Sequence, residues 1–488
     1  MQHGLVDQRF TRRGLLIVGG ASSAAFALGS AGDRVRSTLG TLVDPASAPR
    51  LPVYRTRPDL LIPAPRVITR KAGLAPGLTF LAPYNAPNQA QAGAMIVDEY
   101  GEPVWEQPLP KLVTTDFRVQ SFKGQPALTW WRGIVELGHG VGHYVIADAA
   151  YRTLATVNAG NRRAGDLHEF LLTDRGTALL TTYTVTERDL RSVHGLASGT
   201  IQDAMFQEID VGSGRVLLEW HSLDHIPIAE SYWPLTADWD YVHLNSLEVD
   251  RDENLLVSSR NTHTIYKLDR TSGAIIWRLG GKHSDFAVAP EAVFAWQHDA
   301  RRQPDGTITV FDNGNALSRA LSLNVDETAR RVTLQRALTH PAKLHSTSQG
   351  NVQVLSNGNV LVDWGAQPYI SEFSPSGELL FDAQLATKYV SYRAYRIPWS
   401  GTGAGVPTVV YEPARAHTDA YVSWNGDTRV TRWVALTGTT PATLSVIGSV
   451  ARTGFETGMR LSRQVSKLAI AGVDASGATV GTSKLMTV

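Results

Sequence analysis

A unit of four short β-strands that recurs along the chain is the feature that most limits how this sequence can fold. The first half of the unit is a hairpin with a Gly- or Asn-containing turn, found at residues 169–180, 247–257, 300–310 and 352–362. Asp305-Gly306 and Asn357-Gly358 are its clearest turns, because a type I′ hairpin needs positive φ at both central residues. The second half is a strand, a turn and a strand that often ends in Trp, found at residues 95–105, 144–157, 207–220, 266–277, 321–326 and 370–381.

These units predict an all-β fold. Two hairpins make a four-stranded blade, so six units predict a six-bladed β-propeller over residues 70–402. A pair of β-sandwiches or a ring of seven blades remains open from the pattern alone. The 43 glycines and 12 tryptophans fit an all-β chain with many tight turns.

The strand pattern changes after Trp399. Short strands separated by polar turns follow at residues 408–411, 420–424, 430–436, 444–447, 468–473 and 484–488. Their close spacing predicts a small β-sandwich over residues 403–488, which resembles a fibronectin type III module. Trp424 and Trp433 are predicted to lie in its core, and we assign the module no chemistry.

The N-terminus has the pattern of an export signal. Arg12 and Arg13 precede a Gly/Ala/Ser-rich run that ends near Leu28, which predicts a twin-arginine signal peptide over residues 1–31. The run is too short and too weakly apolar to span a bilayer, which takes about 20 apolar residues. A basic segment before a surface helix is the alternative. We therefore expect the protein to be extracellular or in the cell envelope, with peripheral membrane contact or none.

Residues 32–69 are rich in proline, which disfavours helices and sheet interiors alike. We predict a linker outside the fold, although it could instead lie along the domain surface.

Composition excludes other classes of site. The chain has no cysteine, so it has no disulfide, no thiolate metal site and no cysteine nucleophile. Its 46 basic and 45 acidic residues show no block of one sign that would predict nucleic-acid binding, so we expect a small-molecule partner.

Polar side chains recur at a fixed place before the hairpin turns. His168 lies eight residues before Gly176, and His298 lies eight before Gly306. The same offset from Gly358 falls next to Gln349, and His243 and Asn245 lie near the matching place in their unit. The innermost strand of each propeller blade borders the central channel, so these residues are predicted to meet at one mouth. Arg260 and Arg319 would join them from the following strand ends.

The sequence assigns some histidines to the site more strongly than others. His168 alone is more simply explained as a hydrogen-bonded turn residue. His243 and His298 have Asn, Asp and Arg neighbours together with Trp239, Tyr241 and Trp296, and such polar clusters in concave sites favour function. Five histidines in loop-like stretches are not predicted to belong to the site: His139, His143, His194, His221 and His225. No local spacing matches a metal motif, so no metal site is predicted.

Several ordered motifs resemble those of the arylsulfotransferase family, particularly its secreted bacterial and fungal branch. They are Val-His243-Leu-Asn245-Ser, Ser-Ser-Arg260-Asn-Thr-His263, Trp-Gln-His298-Asp, Phe-Asp312-Asn313-Gly and Ser-Gln349-Gly350. The resemblance covers most of residues 80–400. It implies a propeller that moves a sulfuryl group from a phenolic sulfate ester to a phenol through a sulfated histidine. It implies neither a nucleotide sulfate donor nor a cofactor.

The resemblance also implies roles for single residues. It places His243 and His298 in the site and sets Arg260 and Arg319 on the sulfate oxygens. The further substrate-binding candidates are Asn245, Asn313, Gln349, His168, Trp239, Tyr241, Trp296 and Trp364. The nucleophilic histidine of the family lies in a later blade, where this chain offers only His340 and His345. If neither reaches the pocket, either His243 or His298 would be the nucleophile, or the protein would only bind.

Two other functions stay open. One is a catalytically silent propeller that binds a sulfated or glycosidic ligand in the cell envelope. The other is a quinone-cofactor dehydrogenase, which the Gly-x-x-x-Trp blade endings suggest. The dehydrogenase would need carboxylate or amide ligands for a metal, and the sequence shows no compelling set.

Overall fold

The computed structural model describes residues 53–85, 93–109, 111–314, 316–386, 388–462 and 465–488. Within these ranges the chain is nearly all β, as predicted, and its one α-helix is the single turn Ser222–His225. The 3-10 turns in these ranges are Arg191–Val193, Ile228–Glu230, Pro290–Ala292 and Pro441–Thr443. A search of the same residues finds no helix with the length and apolar character needed to cross a membrane. The predicted signal peptide, 1–31, lies outside the described residues.

The strands up to residue 221 are β1 (Arg66–Arg70), β2 (Leu78–Tyr84), β3 (Gly93–Val97), β4 (Pro103–Pro108), β5 (Val113–Phe122), β6 (Gln125–Glu136), β7 (His139–Ala147), β8 (Thr153–Val157), β9 (Phe170–Leu172), β10 (Thr177–Arg188), β11 (Gly199–Asp210) and β12 (Val216–His221). Those from residue 244 to residue 338 are β13 (Leu244–Val249), β14 (Leu255–Ser259), β15 (Thr264–Leu268), β16 (Ile275–Gly280), β17 (Ala287–Val288), β18 (His298–Arg302), β19 (Ile308–Asp312), β20 (Arg319–Asp326) and β21 (Arg331–Leu338).

The remaining strands are β22 (Asn351–Val354), β23 (Val360–Asp363), β24 (Tyr369–Phe373), β25 (Leu379–Gln384), β26 (Val390–Ile397), β27 (Thr408–Pro413), β28 (Thr418–Ser423), β29 (Arg432–Thr437), β30 (Ser445–Ala451), β31 (Glu456–Leu461), β32 (Lys467–Val473), β33 (Thr479–Thr482) and β34 (Met486–Thr487).

Strands β1 to β26 form six sheets, which we number I to VI along the chain. Sheet I has the order β26-β2-β3-β4, and sheets II, III and IV are β5 to β8, β9 to β12 and β13 to β16. Sheet V is β18 to β21 with β17 beside β21, and sheet VI is β22 to β25 with β1 beside β25. Neighbouring strands are antiparallel, except for the parallel β17–β21 pair.

The six sheets form a closed circuit of neighbours. We call β26 the first strand of sheet I, and β5, β9, β13, β18 and β22 the first strands of sheets II to VI. Each first strand contacts the preceding sheet, and sheet VI is the one that precedes sheet I. The circuit closes because β26, which follows sheet VI in the chain, pairs with β2 of sheet I. At the other end β1 pairs with β25, so sheet VI is joined to the start of the circuit as well.

The apolar core lies between adjacent sheets. Phe206 of sheet III and Leu247 of sheet IV belong to one buried cluster, and Ile265 of sheet IV and Ile308 of sheet V belong to the next. Both faces of an inner strand are therefore covered. All five residues of the inner strand β14 are buried, so burial does not alternate along this strand.

Buried charges join the first strands of four sheets. We call this group the inner charge cluster, and its members are Asp116, Arg118, Glu169, Asp299, Arg301 and Arg393. Nη1 of Arg393 lies 2.9 Å from Asp116 and 3.3 Å from Glu169, and its Nε lies 3.4 Å from Asp299. Three arginines face three carboxylates, so the charges balance where water is excluded.

The described part of the predicted linker, residues 53–69, packs against the sheets. Tyr54, Leu60 and Ile62 are buried in one apolar cluster with Leu361 of sheet VI. Strand β1 then begins at Arg66. These residues lie along the domain, which was the second of the two sequence-based alternatives, because apolar side chains separate the prolines.

The C-terminal residues form two further sheets. One has the order β27-β28-β31, and the other has the order β30-β29-β32-β33 with β34 beside β32. Trp424 and Trp433 are buried in their shared core, as predicted. The Tyr151 hydroxyl donates to the Gly426 carbonyl at 2.8 Å, and Asn425 Nδ2 donates to the Glu106 carbonyl at 2.9 Å, so these sheets are attached to the circuit.

We expect Arg393→Met to destabilise the fold by about 3–5 kcal/mol, because it leaves buried carboxylates without their shared cation. Urea unfolding followed by tryptophan fluorescence measures this. The matched control is Arg460→Met, which breaks a bidentate pair with Asp419 on an exposed surface. Equal shifts in the two variants would contradict a special role for the inner charge cluster.

Candidate active site

The histidines before the hairpin turns come together at one end of the first strands. His168 precedes β9 by two residues, His243 immediately precedes β13, and His298 is the first residue of β18. The ring centroids of His168 and His243 are 4.7 Å apart. The Gln349 backbone N–H, two residues before β22, donates to Nε2 of His298 at 3.1 Å. The structure thus brings four of the sequence-predicted positions to one place.

A fourth imidazole, His139, lies among them and was not predicted to belong to the site. It is the first residue of β7, and its ring centroid is 5.1 Å from that of His243 and 5.8 Å from that of His168. Its ring packs on Tyr183 at 3.9 Å, and the Tyr183 hydroxyl donates to the Leu244 carbonyl at 2.7 Å. His139 is only 7% exposed; its Nδ1 is buried without a hydrogen-bond partner, and its Nε2 faces the Asp240 carboxylate.

Two aspartates orient the imidazoles. Nδ1 of His168 donates to Asp166 at 2.6 Å, and Nδ1 of His243 donates to Asp240 at 2.5 Å. The same Asp240 oxygen, Oδ2, lies 3.2 Å from Nε2 of His139. A carboxylate on Nδ1 fixes the proton there and leaves the lone pair on Nε2.

Burial and charge move the pKa values in different directions. Burial lowers the pKa of His243 to about 4 against the opposing effect of Asp240. Burial also acts to lower the pKa of His139, but Asp240 and Asp166 outweigh it and raise that pKa. Burial acts to raise the pKa of both carboxyls, yet the imidazoles beside them hold it below the usual range.

His298 has no free ring nitrogen. Its Nδ1 donates to the Asn313 side-chain oxygen at 2.7 Å, and its Nε2 accepts the Gln349 N–H. The Asn313 amide donates to the carbonyls of Ser346 and Gln349, so its oxygen must face His298. Burial, followed by the charge of Arg260, holds the pKa of His298 well below the usual range. This imidazole is therefore neutral and held in place by two hydrogen bonds.

Arg260 supplies the positive charge of the site. Its backbone N–H donates to the His243 carbonyl at 2.9 Å, so it lies next to that residue. Its guanidinium carbon lies 5.2 Å from the Trp233 ring and 4.9 Å from the Trp296 ring, within cation–π range. Burial lowers the pKa of Arg260 to about 10, so it stays charged at neutral pH, and its Nε is buried without a partner.

Asn245 is fully buried two residues after His243. Its amide donates to the Gln297 carbonyl at 2.7 Å, while its side-chain oxygen is buried without a partner. Its carbonyl accepts from Arg393 of the inner charge cluster at 2.7 Å. Buried polar atoms without a partner occur here in Asn245, Arg260 and His139, as they also do in other parts of the described chain.

Three charged candidates from the sequence are placed elsewhere by the structure. Arg319 donates to the Asp312 carboxylate and to the carbonyls of Glu291 and Val293, which gives it a structural role. His340 is buried with both ring nitrogens bonded, one to Asp382 and one to the Ala342 N–H. His345 is exposed, with no side-chain contact to the imidazoles.

Three of the four aromatic candidates are core residues. Trp239 donates to the Trp233 carbonyl, Tyr241 donates to the Ile226 carbonyl, and Trp364 donates to the Ser371 hydroxyl. All three are buried among apolar side chains. Only Trp296 keeps a place beside Arg260, where Trp233 joins it at a ring distance of 5.8 Å.

A cavity of about 500 Å³ opens at the opposite ends of the first strands, beside the hairpin turns. Its lining includes Asp250, Arg270 and Arg302. These charges are paired, since Arg302 bonds Asp250 and Arg270 bonds Glu208. It contains no histidine, so its chemistry does not match that of the imidazole end.

Comparisons with known proteins give a family. A model of the arylsulfotransferase (ASST) family matches residues 118–386, which is more than half of the 488-residue chain. The matched segment contains the four imidazoles of the site and the aspartates Asp166 and Asp240. Among curated proteins, no match to the sequence was found.

Solved structures show only weak likeness. A protein of unknown function from Bacteroides caccae is 12% identical over 65% of this chain and 98% of its own, with a TM-score of 0.42. A protein from Lactobacillus plantarum is 13% identical over 79% and 99%, with a TM-score of 0.38. Virginiamycin B lyase from Staphylococcus aureus is 12% identical over 68% and 87%, with a TM-score of 0.27. These TM-scores are too low to support an inference about this chain.

His263 should make the stability of the fold sensitive to acid. It stacks on Tyr232 at 4.1 Å, and burial, followed by the charges of Arg260 and Lys282, lowers its pKa to about 4. The unfolded chain binds this proton with a pKa of about 6.5, so the stabilisation is present above pH 6.5 and is lost as pH falls toward 4.

We therefore expect the free energy of unfolding to fall by about 1 kcal/mol more in the wild type than in His263→Phe between pH 7 and pH 5, allowing for partial exposure of the ring. Phenylalanine keeps the stack but cannot titrate. Urea titrations at several pH values measure the difference. Parallel pH curves for the two proteins would contradict the assignment.

Proposed function

Because the chain belongs to the arylsulfotransferase family, we propose that it transfers a sulfuryl group from a phenolic sulfate ester to a phenol without a nucleotide donor. The observation that carries this is the combination of two imidazoles, each with Nδ1 on a carboxylate, with a charged arginine, Arg260, whose backbone N–H bonds the His243 carbonyl. Sulfuryl transfer, like phosphoryl transfer, needs a positioned nucleophile and positive donors for the equatorial oxygens.

We also propose the architecture in which this site lies. The closed circuit of six sheets supports a six-bladed β-propeller, in which the first strands surround the axis and their histidine ends form one mouth. The C-terminal sheets support a separate module of the fibronectin type III kind. Export by the twin-arginine route, which rests on the sequence alone, completes the proposal.

His243 is the proposed nucleophile. Its Nδ1 proton is held by Asp240, and its Nε2 has no hydrogen-bond partner among the described residues, so the lone pair there is available. In the first step, Nε2 attacks sulfur, the bond from sulfur to the phenolic oxygen breaks, and the phenolate leaves. In the second step, the acceptor oxygen attacks the same sulfur, and the N–S bond breaks to release His243.

His168 is the proposed proton carrier. Its ring lies 4.7 Å from that of His243, and Asp166 holds its Nδ1 in the same way. In its doubly protonated form His168 would protonate the departing phenolate from Nε2, and the neutral ring, with a lone pair on Nε2, would later accept the proton of the incoming phenol. Protons balance over the two steps, because the incoming phenol returns to His168 the proton that His168 gave to the departing phenolate.

Arg260 and Asn245 are proposed to bind the substrate. The charged guanidinium has an unpaired Nε–H for a sulfate oxygen, and the Arg260 backbone is bonded to that of His243. Asn245 lies two residues from His243 with an unpaired side-chain oxygen that can accept from a phenolic hydroxyl. Trp296 and Trp233, which already flank Arg260, provide faces for an aromatic ring.

We expect His243→Asn to lower the rate of sulfuryl transfer from para-nitrophenyl sulfate to a phenol by about a thousandfold or more, since it removes the covalent step. Arg260→Met should cost about a hundredfold through loss of charge stabilisation. Release of nitrophenol measures both rates. Mass spectrometry of the digested protein should find one added SO₃ group on the peptide that contains His243, and acid treatment should remove it.

His345→Asn is the matched control, because His345 is an exposed histidine outside the site, and its rate should equal that of the wild type. Nitrophenol release that does not depend on the acceptor would indicate a sulfatase instead. Binding of the aryl sulfate with no turnover would favour the non-catalytic alternative and would overturn the proposed function.

A further inference from the structure

Three groups at the edge of the proposed site form a set that suits a metal ion. His139, Asp240 and His243 each offer one ligand atom, and these atoms all lie within 4.8 Å of one another. Nδ1 of His139 and Oδ1 of Asp240 are buried without a hydrogen-bond partner, and Nε2 of His139 lies 3.2 Å from Oδ2 of Asp240. The His139 side chain is more than nine-tenths buried and faces the other two groups.

We propose that His139, Asp240 and His243 bind one divalent transition-metal ion of the zinc class, and that this ion switches off sulfuryl transfer. The second half of this statement rests on the proposed function, whereas the first half stands without it. Two imidazoles and one carboxylate are a recognised donor set for zinc and related ions. Three protein ligands leave at least one coordination position for water or an anion.

The distances suit such an ion. Nε2 of His139 and Oδ2 of Asp240 are 3.2 Å apart, and two ligands of a tetrahedral zinc ion lie about 3.3 Å apart when each bond is about 2.0–2.1 Å. Nδ1 of His243 is 2.5 Å from Asp240, where a proton now holds the pair together. A metal would replace that proton, and the two atoms would separate by less than about 1 Å.

Asp166 also lies near His139, in a second group with His168. Its oxygens are already occupied, because Oδ1 accepts from the Gly140 N–H and Oδ2 accepts from His168 and the Thr181 hydroxyl. A metal there would have to displace several hydrogen bonds. Oδ1 of Asp240 has no partner, and its Oδ2 contacts only the two proposed imidazole ligands, so a metal there would displace fewer hydrogen bonds and the structure favours the Asp240 group.

Among the described residues, the Asp240 group and the Asp166 group are the only sets of three candidate ligands close enough together to hold one ion. The chain has no cysteine and 14 histidines. One other histidine with two carboxylate contacts, His221, lies between Asp203 and Glu219 and bonds each through a different ring nitrogen. The two carboxylates there lie on opposite sides of the imidazole, so they cannot chelate one ion together with it.

Metal binding and sulfuryl transfer exclude each other through the tautomer of His243. Without metal, the proton is on Nδ1 and the lone pair on Nε2 attacks sulfur. With metal on Nδ1, the neutral imidazole carries its proton on Nε2, and no lone pair remains there. The metal therefore changes the position of one proton and leaves the imidazole without a nucleophilic atom.

The experiment uses the full chain after treatment with EDTA and desalting. Isothermal titration with Zn²⁺, followed by desalting and elemental analysis, should show one bound ion per chain. Co²⁺ in place of Zn²⁺ should give visible absorption bands typical of four- or five-coordinate nitrogen and oxygen ligation. The transfer rate is then measured at each level of occupancy.

Two variants and one control identify the ligands. His139→Gln and Asp240→Asn should each weaken Zn²⁺ binding by at least about tenfold, since each removes one of three ligands. His221→Gln removes the other doubly paired histidine and should bind Zn²⁺ as the wild type does. A shift of the thermal midpoint by Zn²⁺ in the wild type but not in His139→Gln gives a readout that needs no activity.

Each outcome is decisive. Inhibition in proportion to occupancy, reversed by EDTA and absent in His139→Gln, supports the full proposal. No stoichiometric Zn²⁺, or equal binding in the wild type and both ligand variants, overturns the metal site. Binding that leaves the transfer rate unchanged or raises it overturns the tautomer argument. Absence of transfer in the metal-free protein counts against the proposed function and leaves the binding result to be judged by itself.

Discussion

The site depends on the balanced ionic cluster that the first strands bury between them. Arg393 contacts carboxylates from sheets II, III and V, and without it the two remaining arginines would face three buried carboxylates. Two members of the cluster adjoin site histidines in sequence, since Glu169 follows His168 and Asp299 follows His298. The ion pairs therefore fix the backbone at the points where the imidazoles begin, and the positions of the imidazoles follow from them.

This arrangement explains how polar groups can stay unpaired in a buried place. An orphaned donor or acceptor costs about 1–3 kcal/mol, and a flexible backbone would move to satisfy it. Here Arg393 holds the Asn245 carbonyl and the Gln297 carbonyl holds the Asn245 side-chain amide, while the side-chain oxygen has no partner. Rigid inner strands thus keep reactive atoms open, which is the condition for catalysis by positioning.

Hairpin spacing was sufficient to predict the all-β class and the approach of His168, His243, His298 and Gln349, because equivalent positions in repeated units share one end. It could not reveal His139, which starts the third strand of its sheet and reaches the site only through a long hairpin. The Asp-x-His and Asp-x-x-His spacings at Asp166 and Asp240 were visible signals that pattern reading missed. Arg319 and Tyr241 were misplaced because proximity in sequence does not show whether a side chain points to the core or to the mouth.

The pairing of β26 with β2 joins residues near 400 to residues near 80. Sheet I therefore cannot form during synthesis until almost the whole circuit has left the ribosome. Arg393 arrives on that same strand, so the carboxylates of the earlier sheets wait for their cation until then. A nascent chain that lacks β26 has neither a closed circuit nor a neutral inner charge cluster.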